Sequence, residues 1–304
     1  MQILITGGYG FLSSIMADFL ASLGYEVTLA TRNSSLYPKL FSNVRVVNID
    51  WNNIDQFFDR FSNFDQVIHA AGINSKDCLL DPTEAIRFNA QITKKFANSA
   101  LNFGIKRFIF LSTIHVYSSK LVGNFNEYSS TFNNHPYAKS KLMGEEGIQE
   151  VFSKSKEKFL ILRLTNVIGP PIHKDLCNSD LLANLLCQQI LMKKDIVLRN
   201  PFQIRDFISI KYLLNFLKKS LTYKFEQNIL NISSGKTFTV KEFADLFNNI
   251  ALRLYGYKVK INFDATLSES NSFLKIKSNS PFGHLRNDID SEIKNLFMFF
   301  EKHF

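Results

Sequence analysis

A phenol and an ammonium one helical turn apart are the first chemistry this chain offers. The run Tyr137-Ala138-Lys139-Ser140-Lys141 sets Tyr137 and Lys141 at i and i+4, which share one face of a helix. An ammonium there favours the ionised phenol and turns a weak acid into a usable base. A free tyrosine titrates near pH 10, so work near neutrality takes roughly 4 kcal/mol of electrostatic help. Thr113, 24 residues upstream, is the hydroxyl that could orient the oxygen on which Tyr137 acts. Hydride gain or loss at a carbinol carbon requires the proton on its oxygen to move too, and Tyr137 is the candidate acid/base. The plainer alternatives are a surface tyrosine and a strand-end threonine.

Such a pair needs a frame, and the first half of the chain supplies one. Short apolar runs at Gln2–Ile5, Glu26–Ala30, Val44–Val47, Gln66–His69, Arg107–Leu111 and Phe159–Arg163 alternate with helical segments starting near Phe11, Asn53, Pro82 and Pro136. That alternation predicts a doubly wound α/β fold, a parallel sheet covered on both faces. Beyond Gly169-Pro170-Pro171 the repeat becomes irregular, with helices expected near 180–193, 209–221, 239–255 and from Asp288 to Phe304. We expect a nucleotide-binding domain over 1–168, with 203–234 returning a strand and a helix to it. A smaller, mixed substrate-binding region is expected over 169–202 and 235–304.

The first predicted strand runs into Thr6-Gly7-Gly8-Tyr9-Gly10-Phe11-Leu12. Strand, glycine turn and helix in that order bring bare backbone N–H groups and a helix N-terminus toward a pyrophosphate. Gly7 and Gly10 fill two positions of a Gly-x-x-Gly-x-x-Gly pattern, and Ser13 stands at the third, where close helix packing is still permitted. A tight turn without a ligand is the alternative. After the second strand, where an acidic residue would hold the ribose hydroxyls of NAD, the chain reads Thr31-Arg32-Asn33. The missing carboxylate and the arginine favour NADP, with NAD as the alternative if Arg32 stacks on adenine or faces solvent. Asp50 and Trp51, after the third strand, are candidates to bind and flank the adenine, although a lone tryptophan is more commonly a packing residue. An oxidised nicotinamide would add its positive charge to that of Lys141 in favouring the Tyr137 phenolate.

The excess of 36 basic over 27 acidic residues gives a net charge of +9. It is spread as pairs such as Lys94-Lys95, Lys193-Lys194 and Lys218-Lys219, without a run that reads as a basic arm. A basic solvated surface with local positive potential at a phosphate site fits better than a nucleic-acid partner. No apolar run approaches the roughly 20 residues a membrane span needs. Met1-Gln2-Ile3 runs straight into a strand, so we expect no signal peptide and a cytoplasmic protein. Cys78, Cys177 and Cys187 form no Cys-x-x-Cys pair and read as reduced structural residues. No metal site is expected.

The ordered set of motifs resembles the extended short-chain dehydrogenase/reductase family, especially its nucleotide-sugar epimerases, dehydratases and ketoreductases. It comprises the glycine turn, His69-Ala70-Ala71-Gly72, Asn89, the stretch from Leu111 to Tyr117, and Tyr137 through Glu145. It continues with Arg163 through Pro170, Arg205-Asp206-Phe207-Ile208 and Asn231 through Gly235. The resemblance covers most of the chain and implies a Rossmann-like fold, an NAD(P) cofactor and a nucleotide-activated sugar as substrate. It implies that Gly7, Gly10, Phe11, Leu12, Ala70, Ala71, Gly72, Asn89, Tyr137 and Lys141 contact the cofactor. Thr113 would bond the reacting sugar oxygen, Tyr137 would carry the proton, and Lys141 would hold the nicotinamide ribose. Asn166 and Arg205 would contact substrate, the arginine through its diphosphate. The helices that include the Tyr137 segment often form a dimer in this family, so a homodimer is expected.

His115 lies two positions after Thr113, where several relatives carry a second acid/base group; a packed or hydrogen-bonded structural histidine is the alternative. The 4,6-dehydratases carry an Asp-Glu pair after the threonine, whereas this chain has Ile114-His115, which argues against dehydration. The sequence therefore favours an NADP-dependent ketoreductase of a nucleotide-linked keto sugar, with an NAD-dependent 4-epimerase as the alternative. A non-catalytic cofactor sensor or nucleic-acid-associated protein is a third reading, which the Thr113, Tyr137 and Lys141 set argues against.

Overall fold

Branched and aromatic runs that are apolar at nearly every position belong in parallel strands buried on both faces. The computed structural model, which describes residues 1–37, 39–156, 158–177, 180–264, 273–283 and 285–303, has this architecture. In chain order its first elements are β1 (Gln2–Thr6), α1 (Phe11–Ser22), β2 (Glu26–Thr31), β3 (Val44–Asn48), α2 (Ile54–Arg60) and β4 (Gln66–His69). Next come α3 (Ser75–Leu80), α4 (Pro82–Ile86), a π-helical segment (Arg87–Ile92), α5 (Thr93–Asn102), β5 (Arg107–Thr113) and a 3₁₀ turn (Ile114–Val116). Then follow β6 (Gly123–Phe125), α6 (Pro136–Phe152), β7 (Lys158–Leu164), β8 (Asn166–Ile168), a second 3₁₀ turn (Lys174–Leu176), α7 (Leu182–Leu191), β9 (Ile196–Val197), β10 (Ile204–Ser209) and α8 (Ile210–Ser220). The remainder is β11 (Ile229–Ile232), β12 (Thr237–Thr239), α9 (Val240–Tyr255), β13 (Ile261–Asn262), β14 (Leu274–Ile276) and α10 (Ile289–His303). The Phe304 end of the last expected helix, and parts of the 169–202 and 235–304 region, lie outside the described residues.

The chain divides into two compact units, one of residues 1–119, 129–164 and 220–230, the other of 120–128, 165–219 and 231–304. The first contains most of a seven-stranded parallel sheet in the order β11-β7-β5-β4-β1-β2-β3. Alternate residues Leu4, Val67, Phe108, Phe110 and Ile161 join one core cluster with α2, α5 and α6. The intervening Ile3, Ile5, Ile68, Ile109, Leu160 and Leu162 are equally buried, so both faces are covered. The chain walks from β1 to β3 in one direction and from β4 onward in the other. That reversal leaves a crevice at the carboxyl ends of β1 and β4, the usual ligand position in such sheets.

The second unit contains a three-stranded sheet, β12-β10-β8, and a separate core formed by α7, α9 and α10. Phe207 stacks on Phe243 at 3.7 Å between ring centres within it. From the stretch 203–234, β11 returns to the edge of the seven-stranded sheet, while β10 pairs with β8 and β12, and α8 through Lys219 belongs to the second unit.

Candidate active site

The glycine turn sits at the carboxyl end of β1. Gly7 has φ +105° and Gly8 φ +51°, the left-handed region in which a side chain is strained. Space forbids a side chain as well. A Cβ on Gly7 would lie 3.0 Å from the Ala70 carbonyl carbon, and one on Gly8 would lie 2.5 Å from Thr31 Oγ1. Gly8 is thus as necessary to the turn as Gly7, although only the adjacency of two glycines marks it in the sequence. At the third pattern position Ser13 donates its hydroxyl among the carbonyls of Gly7, Gly8 and Gly10, at 3.1, 3.0 and 3.2 Å. Gly10 caps α1 without a side chain, so the first-turn N–H groups of Phe11 and Leu12 suit an external anion. This bare, side-chain-free cradle fits a dinucleotide pyrophosphate.

Around the cradle the expected residues separate. Arg32 is exposed just beyond β2. Asp50 is exposed too, and its carboxylate accepts from Asn52 N at 2.9 Å and Asn53 Nδ2 at 2.7 Å. The Asn52 bond, then that of Asn53, holds it below the usual carboxylate range. Trp51 packs in the core, edge-on to His69, Phe88 and Phe96, an arrangement that favours the packing role over adenine stacking. Asn89 is buried, and its amide is spent internally: Oδ1 accepts from Ile73 N at 2.7 Å, and Nδ2 faces Ile73 O at 3.2 Å and Ser140 Oγ at 3.0 Å. It ties the loop after β4 to α6. The π-helical segment that carries it packs so closely on α6 that a Cβ on Gly144 would lie 2.4 Å from Asn89 O.

Tyr137, Lys141 and Thr113 come together within the first unit. Thr113 ends β5, and its side chain lies close enough to the Tyr137 phenol to favour the ionised form. Lys141 is buried, with Nζ 4.0 Å from the centre of the Phe110 ring. Gly72 adjoins both it and Asn89: a Cβ there would press on Asn89 Oδ1 at 3.2 Å and make only ordinary contact with Nζ at 3.8 Å. Desolvation pushes the Tyr137 phenol up to about 12, the nearby Cys78 thiol acts in the same sense, and the Thr113 side chain opposes both. The expected help from Lys141 is not felt here. Burial drives that lysine down to about 7, so near neutrality its charge is only partial.

The support beneath them is polar and fully enclosed. Glu145, one turn beyond Lys141, receives Arg163 Nε at 3.1 Å, Arg163 Nη2 at 2.6 Å and the Ser112 hydroxyl at 2.5 Å. The Arg163 guanidinium also lies over the Tyr117 ring at 4.9 Å. This pair clamps α6 to β5 and β7. His69 is buried between Thr6 Oγ1 at 2.8 Å and Thr93 Oγ1 at 3.1 Å, and burial pushes it down to about 3, so the ring is neutral. Thr6 Oγ1 also accepts from Ala71 N at 3.2 Å, fixing the Ala70-Ala71 loop against the glycine turn.

His115 is exposed on the 3₁₀ turn, with its carbonyl held by Asn133 Nδ2 at 2.7 Å. In the second unit Asn166 Nδ2 donates to Asp206 O at 2.8 Å, and Arg205 Nη2 donates to Gln203 Oε1 at 2.8 Å. Asp206 is buried and gathers Thr165 Oγ1, Ser234 N, Ser234 Oγ and Gly235 N, so it fixes the Ser233–Gly235 turn.

Residues 3–233 match the model of the NAD dependent epimerase/dehydratase family. The chain belongs to that family. It is 28% identical over 262 residues to a putative UDP-glucose 4-epimerase of Methanocaldococcus jannaschii, covering 82% of each chain. Its fold matches UDP-glucose 4-epimerase of Thermotoga maritima, solved with UDP-glucose, at a TM-score of 0.84 and 19% identity over 99% of both chains. UDP-glucuronic acid 4-epimerase of Bacillus cereus, solved with UDP-glucuronic acid and NAD, gives a TM-score of 0.79 at 19% identity over the whole of both chains. The family member described here is therefore an enzyme of the extended short-chain dehydrogenase/reductase type, acting with a nicotinamide dinucleotide. No helix among the described residues is long and apolar enough to cross a membrane.

Proposed function

We propose that this protein is an NAD-dependent nucleotide-sugar 4-epimerase, with a UDP-hexose as the first substrate class to test. The observation that carries the reading is the gathering of the Thr113 hydroxyl, the Tyr137 phenol and buried Lys141 in one place, in a chain that resembles 4-epimerases over most of its length. The ketoreductase expected from the sequence becomes the second reading, favoured by one observation: Arg32, with no carboxylate, follows β2.

The glycine turn and the start of α1 would hold the pyrophosphate, Arg32 and Asp50 would flank the adenosine, and Lys141 would bond the nicotinamide ribose. When bound, the cofactor supplies a reversible hydride acceptor and its positive charge. Thr113 orients the sugar oxygen, and Tyr137 takes its proton as the carbinol becomes a carbonyl and returns it in the reverse step. A phenol at about 12 is a reluctant base. Added positive charge from the nicotinamide, and from Lys141 once a ligand oxygen favours its ammonium form, brings it toward neutrality. Asn166 and Arg205 serve the nucleotide-sugar, with the planar guanidinium suited to a diphosphate. His115 is an accessory sugar contact in this reading, and a cytoplasmic homodimer completes it.

The test is to release and identify any nucleotide on freshly purified protein, then incubate it with UDP-glucose and follow the 4-epimer. Retained NAD and equilibration of the epimers are expected, with Tyr137→Phe lowering turnover roughly 10²- to 10⁴-fold while nucleotide is kept. An empty protein that consumes NADPH with a nucleotide-linked keto sugar, and equilibrates nothing, would replace this reading with the reductase. Unchanged turnover in Tyr137→Phe would sink the mechanism in either form.

A further inference from the structure

Thr113 and Tyr137 stand at the two ends of one hydrogen-bonded circuit, and two of its members have no part in the chemistry described so far. Thr113 Oγ1 accepts from His115 N at 3.2 Å. The His115 carbonyl accepts from Asn133 Nδ2 at 2.7 Å, and Asn133 Oδ1 accepts from His135 N at 2.9 Å. His135 is the N-cap of the 17-residue α6, and its Nδ1 accepts from Tyr137 N at 3.2 Å. The Tyr137 phenol in turn lies close to the Thr113 side chain. All five residues lie in the first unit, and Asn133 is buried.

The local sequence explains why the cap falls on Tyr137. Pro136 occupies the first helical position and has no N–H, so Tyr137 carries the first backbone donor of α6. An N-cap acceptor satisfies one such orphan donor and fixes the first turn. In this chain the first turn is the one that aims the phenol. A histidine can cap here only through an unprotonated Nδ1, the tautomer with hydrogen on Nε2.

We propose that His135 and Asn133 are positioning residues for Tyr137. Through the cap and the bridge to the His115 carbonyl they hold the phenol and the Thr113 hydroxyl in one geometry. The part of this concerning turnover rests on the epimerase reading; the circuit itself does not. The experiment compares His135→Ala, His135→Asn, His135→Ser and Asn133→Ala with the full-length parent, by epimerase kinetics and by hydrogen exchange at the Tyr137 and Ala138 amides.

For His135→Ala we expect kcat to fall roughly tenfold with KM within about twofold, and exchange at those amides to rise by a similar factor. Asn and Ser, which are ordinary N-caps, should restore both readouts. Asn133→Ala leaves the cap residue in place and should lower kcat by less, about threefold, in case His135→Ala does not fold. Wild-type rates and exchange in both alanine variants would overturn the proposal. So would a folded His135→Asn protein as impaired as His135→Ala, because the imidazole would then do something other than cap. If the parent interconverts no nucleotide-sugar, the epimerase reading falls, and amide exchange still decides whether the circuit holds Tyr137.

Discussion

Two buried cations lie on or against the same helix and live in opposite ways. At the inner end of α6, Arg163 meets Glu145 through three contacts of 3.1 Å or less, with Ser112 adding a fourth to the carboxylate. That pairing outweighs burial and raises the arginine above its ordinary value. One turn nearer the start, Lys141 has no ion-pair partner among the described residues and rests over a phenyl ring. Burial leaves it at about 7. The first charge is satisfied and does structural work. The second carries only part of its charge near neutrality.

The widest break in that comparison comes from Arg163→Met. It strands the Glu145 carboxylate in the core, and urea unfolding should show a loss of roughly 3–5 kcal/mol. Replacing Glu145 by Leu as well should recover most of it, because an apolar pair of similar volume often does as well as a buried ion pair.

Lys141→Met should behave in the opposite sense. The ordinary value for a lysine is 10.5 and burial holds Lys141 at about 7 in the folded protein, so carrying its charge opposes folding fully below pH 7. As pH rises from 7 toward 10.5 the folded state sheds that proton while the unfolded chain keeps it, and the opposition fades. The variant should therefore be more stable than the parent at pH 6, with the gain shrinking toward pH 10, and it should turn over poorly. Equal stability at both pH values would mean that Lys141 is better solvated than its burial indicates.

The smallest effect belongs to the surface. Lys106→Ala removes an ion pair to Asp65 of 2.6 Å whose lysine is 76% exposed, and thermal unfolding should register no more than about 1 kcal/mol. A larger loss would show that distance, rather than enclosure, sets the worth of these pairs.

How much of this could be read beforehand depends on whether the signal is local. The strands were legible because parallel strands buried on both faces need continuous apolar runs, and β4 has the expected Gln66–His69 bounds. Four helix starts were legible from Pro82, Pro136, the glycine turn and Asn53. Tyr137 and Lys141 share a helix face for a reason carried by spacing alone. The rest depends on partners far along the chain. Trp51 could be placed after β3 but not assigned to the core, because His69, Phe88 and Phe96 decide it. The internal commitment of Asn89 depends on Ile73 and Ser140, and the cap at His135 on an acceptor type less usual than Ser or Asn. The downward shift of Lys141 was missed because i, i+4 spacing reports proximity and carries no information about burial.

Ser13 carries a consequence for time rather than strength. By donating among three carbonyls of the glycine turn, its hydroxyl keeps that turn in shape before any nucleotide arrives. A preformed seat needs little ordering when it is filled, and affinity gained this way appears mainly as slow departure. On the epimerase reading proposed above, one dinucleotide serves many cycles and its residence matters. The serine that interrupts the glycine pattern thus acts as a latch on the turn.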